Sequence, residues 1–371
     1  MNTPILSVIM AGGSGERFWP ISRRQRPKQL LKLTSETEMM LEESVNRLLP
    51  LLPKDHIFIA TSTTLAEPTH QAMPSFPKEN IVGEPCKRNT AGCLVNAVAH
   101  ILARFGEEAM DYLMSVTTAD HLIGDTDRFC DTVTAALQYA EQDEALVTIG
   151  VHPTRPETGY GYIEINQLNK PIWDYQGIPV YNVARFLEKP GHEDAERYQA
   201  SRFYYWNSGM FFWRIRSLMV GLEKYAPQHA ACILRMADLL RDNPKNPAIQ
   251  AEFEQLPDIS IDYALMEKAD NVYVALGDFR WDDVGSWDSL SRFRQRDEQR
   301  NTPIGNPVLI DCRNVTVYNE PGMDQMAVCV IGMEDLIVVT SQDSVLVCPK
   351  NRAQDVKRAV QELIQRNAKQ I

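Results

Sequence analysis

Apolar positions along the first half of the chain switch between two spacings. Residues 5–10 (ILSVIM) form a short apolar run stopped at once by Gly12 and Gly13, the pattern of a buried strand. Runs at 56–60 (HIFIA), 112–117 (YLMSVT) and 145–150 (ALVTIG) predict further strands. Between them the spacing lengthens to that of a helix. Ser35 and Glu38 fit a capping box ahead of a helix with Leu41, Val45 and Leu48 on one face. Asn89 fits the cap of a helix bearing Leu94, Val98, Ile101, Leu102 and Phe105, with Gly106 in the stop position. Residues 127–141 predict another helix.

Strand and helix thus alternate at the spacing of crossover units. That predicts an α/β fold with a mainly parallel sheet and helices on both faces. In such sheets ligands sit beyond the carboxyl ends of the strands, which directs attention to the loops after Met10 and Val116. The middle third is less regular, with strands expected at 160–165 and 180–187 and an aromatic-rich apolar stretch at 203–214. A large domain over 1–295 is expected, and residues 302–307 (TPIGNP), with two prolines and a glycine, read as a linker. Residues 302–371 read as a small β-rich domain of short strands (VLI, VTVY, MAVCVIG, LIVVT, VLVC). It ends in a helix with Val356, Val360, Leu363 and Ile364 on one face. No clean internal repeat is visible.

Length and composition agree with that division, since 371 residues exceed what one core usually holds. A net charge of -11 makes nucleic acid or an anionic membrane surface a poor partner. Seven cysteines, widely spaced and without a Cys-x-x-Cys pair, point to free thiols rather than disulfides or zinc. The N-terminal apolar run is too short for a signal peptide, and no run approaches the roughly 20 residues that span a bilayer. A cytoplasmic protein is expected.

The loop after Met10 reads Ala11-Gly12-Gly13-Ser14-Gly15-Glu16-Arg17. Glycines let backbone N–H groups approach a polyphosphate, although three in four residues also make a tight turn. The loop is not Gly-x-x-x-x-Gly-Lys-Ser/Thr, and the dinucleotide pattern lacks its third glycine, which argues against a nicotinamide-dependent oxidoreductase. Next come Arg17, Arg23, Arg24, Arg26, Lys28 and Lys32, with Glu16 the one acid among them. In an acidic chain, a concentrated cationic segment beside a glycine loop suits a triphosphate, and Pro27 fixes the backbone just before Lys28.

AGGSGERFWPISRRQRPKQLL resembles the signature of the sugar nucleotidyltransferases, and its Phe-Trp-Pro-Ile-Ser and Pro-Lys-Gln-Leu pieces resemble the guanylyl, mannose-type branch. Six more segments match in order: GEPCKRNTA at 83–91, TTADH at 117–121, ETGYGYI at 157–163, FLEKP at 186–190, WNSGMF at 206–211 and WDDVGSW at 281–287. The resemblance implies a Rossmann-like mixed sheet, the nucleotide-diphospho-sugar transferase fold. It implies that GMP passes from GTP to mannose 1-phosphate, giving GDP-mannose and pyrophosphate, with Mg2+ as cofactor and a homodimer as the assembly. Arg17 and Lys28 would be catalytic, contacting the triphosphate. Gly12, Gly13, Ser14, Gly15, Glu84, Pro85, Asn89 and Thr90 would bind the nucleotide. Gly159, Gly161, Glu188, Lys189 and Asn207 would bind the sugar phosphate. Asp120 and Asp283 would be the metal ligands, with Asp283 rather than Asp282 in the matching position. Thr118 stands where the family usually has proline.

The same residues leave room for a different nucleotide, for glucose or heptose 1-phosphate, or for a non-catalytic homologue that binds a sugar nucleotide. Intact Arg17, Lys28, Asp120 and Asp283 weigh against the last. Some relatives of this family carry a C-terminal isomerase domain; residues 302–371 contain no histidine and resemble the short β-rich extension of the monofunctional members.

Overall fold

The computed structural model describes residues 3–142, 144–166, 170–320 and 326–371. The chain packs as two compact units, each assembled from separate stretches. The first comprises Met1–Gly12, Ser44–Ala119 and Ile123–Trp281; the second comprises Gly13–Glu43, Asp120–Leu122 and Asp282–Ile371.

The first unit is built on a ten-stranded sheet. Its strands are β1 (Ile5–Met10), β2 (Ile57–Ser62), β3 (Ile81–Glu84), β4 (Leu113–Thr118), β5 (Leu146–Val151), β6 (Tyr162–Ile165), β7 (Trp173–Tyr175), β8 (Ile178–Leu187), β9 (Tyr204–Arg214) and β10 (Val272–Gly277). Their order is β3-β2-β1-β4-β9-β5-β10-β8-β6, with β7 on β8 and a further pairing of β9 with β6. The pairs β1–β2, β2–β3, β1–β4 and β5–β10 are parallel. β9 runs against β4, β5 and β6, and β8 runs against β6, β7 and β10. Eight strands therefore share one direction (β1–β7 and β10), and two oppose it. The mixed, mainly parallel sheet is as expected; the sequence does not single out the reversed β9, inserted between β4 and β5. Because β9 runs backwards, its beginning, with Asn207 opposite Gly150, lies at the edge where β5 ends.

Strands buried on both faces explain the near-continuous apolar runs. Leu6 and Val8 of β1 join a core with the helices Asn89–Phe105, Ile215–Tyr225 and Pro227–Asp242. Ser7 and Ile9, pointing the other way, are equally buried. Phe129, Val133 and Leu137 of the helix Thr126–Gln142 are buried outside that cluster and cover the second face.

Two helix starts differ in detail from expectation. Ser35 Oγ accepts the N–H groups of Thr37 and Glu38 at 3.1 and 3.2 Å, which closes a local turn. The helix itself begins at Met40, and Glu42 supplies the reciprocal contact by accepting the Met39 N–H at 2.8 Å. Leu41, Val45 and Leu48 are buried on one face as expected. Asn89 sits at φ 57°, outside helical space, and its Oδ1 accepts the next N–H, that of Thr90, at 2.9 Å.

In the second unit the described strands between Thr302 and Pro349 form a parallel coil. β11 (Thr302–Ile304), β13 (Thr316–Asn319) and β15 (Leu336–Thr340) stack in parallel, as do β12 (Val308–Ile310) and β14 (Cys329–Ile331). β16 (Val345–Pro349) closes the first stack antiparallel. Thr302–Ile304 is therefore a strand rather than a linker. Partners at 308 and 329 and at 316 and 337 are both 21 residues apart. The corners repeat with the same step: Asp311 and Gly332 take φ 50° and 66°, Asn314 and Asp335 φ 50° and 52°. Cys312, Val315, Val317, Val330 and Val338 fill the coil. On its flank Tyr318, Ile337 and Val339 pack with Phe18, Ile21, Leu31 and Leu33 of the cationic segment and with Trp287. Among the described residues no helix is long and apolar enough to cross a membrane.

Candidate active site

The glycine turn divides its labour. Gly15 takes φ 61°, and a Cβ there would lie 2.4 Å from Lys28 Cβ, so only glycine lets the two backbones close up. Ser22 Oγ and the Phe18 N–H both donate to its carbonyl at 2.8 Å. Gly13 is different: exposed, with no protein atom within 4 Å of where a Cβ would stand. Internal packing does not call for glycine there, whereas close approach by a ligand does.

Lys28, held in the short turn Lys28–Leu30, is 5% exposed. Its Nζ donates to Asp120 Oδ2 at 2.9 Å and to the Asp283 carbonyl at 2.7 Å. Two aspartates from distant motifs therefore meet at one ammonium group. Burial pushes the Asp120 carboxyl up, but the charges of Lys28 and His121, with hydrogen bonds from Lys28 and the backbone, outweigh it and hold it below its ordinary value. Asp120 is thus an anion at neutral pH. Burial pushes His121 down.

The adjacent acids of WDDVGSW have separate tasks. Asp282 is 4% exposed and takes a bidentate fork from Arg292, at 2.6 and 2.8 Å. Its Oδ1 also accepts the Val284 N–H at 2.9 Å. Val284 sits at φ 49°, strained for a β-branched residue, and this carboxylate helps to hold it there. Asp282 is therefore a structural clamp, while Asp283 turns its carbonyl to Lys28.

The cationic run is not one phosphate-facing row. Arg23 pairs with Asp343 at 2.5 Å and also donates to Ser341, Ser344 and the Gln370 carbonyl. Arg26 pairs with Glu320 at 2.6 Å. Arg17, Arg24 and Lys32 are exposed, and among the described residues no ion pair holds them; Arg17 reaches the Gly285 carbonyl only at 3.5 Å.

Two further groups belong to the first unit. At the end of β3 the Glu84 carboxyl is pushed up to about 7 by burial, against a hydrogen bond with the Cys93 thiol that lowers it. A Cβ on Gly12 would stand 3.6 Å from Glu84 Oε1. Pro85 follows, and Arg88 donates to the carbonyl of Glu254 at 2.5 Å. Thr90 Oγ1 accepts the Ile261 N–H at 2.8 Å.

The second group gathers where β6 starts and β8 ends, because Tyr162 pairs with Leu187. A Cβ on Gly161 would lie 2.9 Å from Glu188 Oε2. Glu188 pairs with Lys189 at 2.7 Å, and Lys189 takes φ 42°. The Asn207 N–H donates to the Gly161 carbonyl at 2.9 Å. Gly159 is exposed, its N–H donating to Glu157 Oε1 at 3.1 Å. Tyr160, Trp206 and Trp281 back these loops, with Tyr160 centroids 5.2 Å from each tryptophan. The first unit thus brings Gly159, Gly161, Glu188 and Lys189, on loops, beside Asn207 of β9. Asp262, whose carboxylate meets Asn207, has no signal in the sequence: SIDY carries a single aspartate in no recognisable motif.

Among the described residues no three His, Cys, Asp or Glu side chains form a ready-made metal cage. A divalent cation that keeps water and phosphate oxygens needs only one or two protein carboxylates. The ionised Asp120 carboxylate fits that need, and the main-chain carbonyl of Asp283 is bonded to the same ammonium.

A model of the nucleotidyl transferase family matches residues 6–300, and one of the MannoseP isomerase/GMP-like beta-helix domain matches 305–363, over the parallel coil. The mannose-1-phosphate guanylyltransferase of Klebsiella pneumoniae is 40% identical over 366 residues, covering 97% of this chain and 74% of that protein. An Escherichia coli mannose-1-phosphate guanylyltransferase is 39% identical over the same length, with the same coverage of both chains (97% and 74%). The crystal structure of a Thermus thermophilus protein described as mannose-1-phosphate geranyltransferase superposes with a TM-score of 0.83 at 33% identity, covering 97% of this chain and 99% of that one. Nucleotidyltransferases of this kind generally use a divalent metal. With motifs, strand order and coil all in agreement, the chain belongs to the nucleotidyl transferase family, among the mannose-1-phosphate guanylyltransferases.

Proposed function

We propose that this protein transfers GMP from GTP to α-D-mannose 1-phosphate, releasing pyrophosphate and forming GDP-mannose. The observation that carries the reading is the buried Lys28 ammonium, bonded to both Asp120 and Asp283 beside the glycine turn. An oxygen of the sugar phosphate attacks the α-phosphorus of GTP, the new O–P bond forms, and the bond to the β-phosphate oxygen breaks in line. The attacking monoester is already ionised near neutral pH, so no strong general base is needed. Catalysis is then charge neutralisation and positioning of two polyanions.

In this reading Gly12, Gly13, Ser14 and Gly15 offer backbone to the triphosphate, with Arg17 and Lys28 opposing its charge. Exposed Arg17, without an ion pair among the described residues, suits a mobile phosphate clamp. Glu84, Pro85, Asn89 and Thr90 serve the guanosine. Gly159, Gly161, Glu188 and Asn207 serve the sugar, and Lys189 its phosphate. Asp120 and Asp283 would hold Mg2+, which when bound supplies further neutralisation of phosphate charge. Residues 1–295 carry the chemistry, and 302–371 brace the segment bearing Arg17 and Lys28. Seven free thiols suit the reducing cytoplasm.

The test is pyrophosphate release with each of four NTPs crossed with mannose, glucose and heptose 1-phosphates. GTP with mannose 1-phosphate should give the highest kcat/KM. Faster turnover with another pair, or none with any, overturns the reading.

A further inference from the structure

We infer that Asp262 is a positioning residue for the sugar, acting by fixing the side-chain amide of Asn207. The inference rests on the proposed function and adds to it a residue outside the matched motifs. Asn207 Nδ2 donates to Asp262 Oδ1 at 2.9 Å, and Asn207 Oδ1 accepts the Gly209 N–H at 3.1 Å. The amide is thus held at both ends: the carboxylate, which only accepts, takes the nitrogen end, and the Gly209 N–H, which only donates, takes the oxygen end. The second Nδ2 hydrogen and the second Oδ1 lone pair stay available to a sugar hydroxyl in a set orientation.

Three features support this. Gly209 takes φ 68°, a backbone angle suited to glycine, at the irregularity in β9 where its N–H meets the amide. Asp262 opens a short π-helix, Asp262–Met266, an element found disproportionately at functional sites. Its segment is also pinned at the nucleotide side: the Ile261 N–H donates to Thr90 Oγ1 at 2.8 Å, and the Ala91 N–H to the Ile259 carbonyl at 3.3 Å. One strap of four residues, Ile259–Asp262, therefore touches both the start of the helix Asn89–Phe105 and the amide beside Gly161. Burial raises the Asp262 carboxyl, and the Asn207 amide lowers it. A fold retaining a partly buried acid here, with Glu188 adding like charge, gains orientation rather than stability.

The test compares Asp262→Ala, Asp262→Asn and Asn207→Ala, with KM measured separately for each substrate. Asp262→Ala should raise KM for mannose 1-phosphate on the order of tenfold, while KM for GTP moves less than about threefold. Asp262→Asn keeps an acceptor for Asn207 and should recover most of that loss. Asp262→Ala should add little in the background of Asn207→Ala, since both act through one amide. Equal rises in both KM values, an unchanged KM for the sugar, or additive losses overturn the inference. Should Asp262→Ala fail to fold, Asp262→Asn decides: a KM for mannose 1-phosphate raised as far as in Asn207→Ala overturns it. Inactivity of the unsubstituted protein would instead strike at the proposed function.

Discussion

Glu84→Gln isolates the energetic effect of one buried carboxyl. Burial raises this group from an ordinary 4.5 to about 7, so the folded chain holds its proton more tightly than the unfolded chain. A group raised in this way contributes stability that is full below pH 4.5 and is lost as pH climbs through about 7. At 1.36 kcal/mol per tenfold change in proton affinity, the loss reaches at most about 3 kcal/mol. Glutamine has nearly the same shape, still accepts from the Cys93 thiol and never ionises. The variant should therefore match the parent near about pH 5 and exceed it by up to about 3 kcal/mol near about pH 8. Urea unfolding of both proteins, followed by tryptophan fluorescence across that range, reads the gap directly. A gap of the same size at both ends of the range would falsify the assignment of a strained, proton-holding carboxyl to the end of β3.

The glycine turn gives a paired experiment: Gly15→Ala, clashing with Lys28, should lower the melting temperature, whereas Gly13→Ala should melt like the parent yet turn over at least several-fold more slowly. If Gly13→Ala is fully active, the turn has no close contact with substrate. The two acids of WDDVGSW should also separate. Asp282→Asn leaves the Arg292 fork half-paired and should lose on the order of 2–4 kcal/mol of stability, while Asp283→Asn should keep its melting temperature and lose turnover, most severely at limiting magnesium. Identical melting and kinetics for the pair would remove the distinction. Lys28→Ala should lose about 2–4 kcal/mol of transition-state stabilisation in kcat/KM; a loss under about twofold contradicts its role.

Much of the first unit was legible because parallel strands buried on both faces write long apolar runs, and helices such as Asn89–Phe105 write a clear 3.6-residue stripe. The reversed β9 was not, since an aromatic run such as YYWNSGMFFWR fits either direction and its neighbours are decided by distant pairings. The parallel coil escaped notice because each strand is three to five residues long and the 21-residue step is carried by corner conformations at Asp311, Asn314, Gly332 and Asp335, not by a repeated residue type. The motif aspartates were placed by resemblance alone; that both reach Lys28 is visible only in three dimensions. The partners of the cationic segment are hidden for a similar reason. The acids that claim Arg23 and Arg26 lie 320 and 294 residues downstream, beyond any local pattern.

The packing of Phe18, Ile21, Leu31 and Leu33 against Tyr318, Ile337 and Val339 bears on how the protein is synthesised. The ribosome delivers the early hydrophobic side chains hundreds of residues before the surface that shelters them. Until the coil emerges, the stretch around Lys28 has only part of its floor, from Met40, Val284, Trp287 and Leu290. A nascent chain stalled before residue 316 would therefore hold every residue of the glycine turn and still lack part of the packing beneath it, so the turn should settle late, once translation is nearly finished.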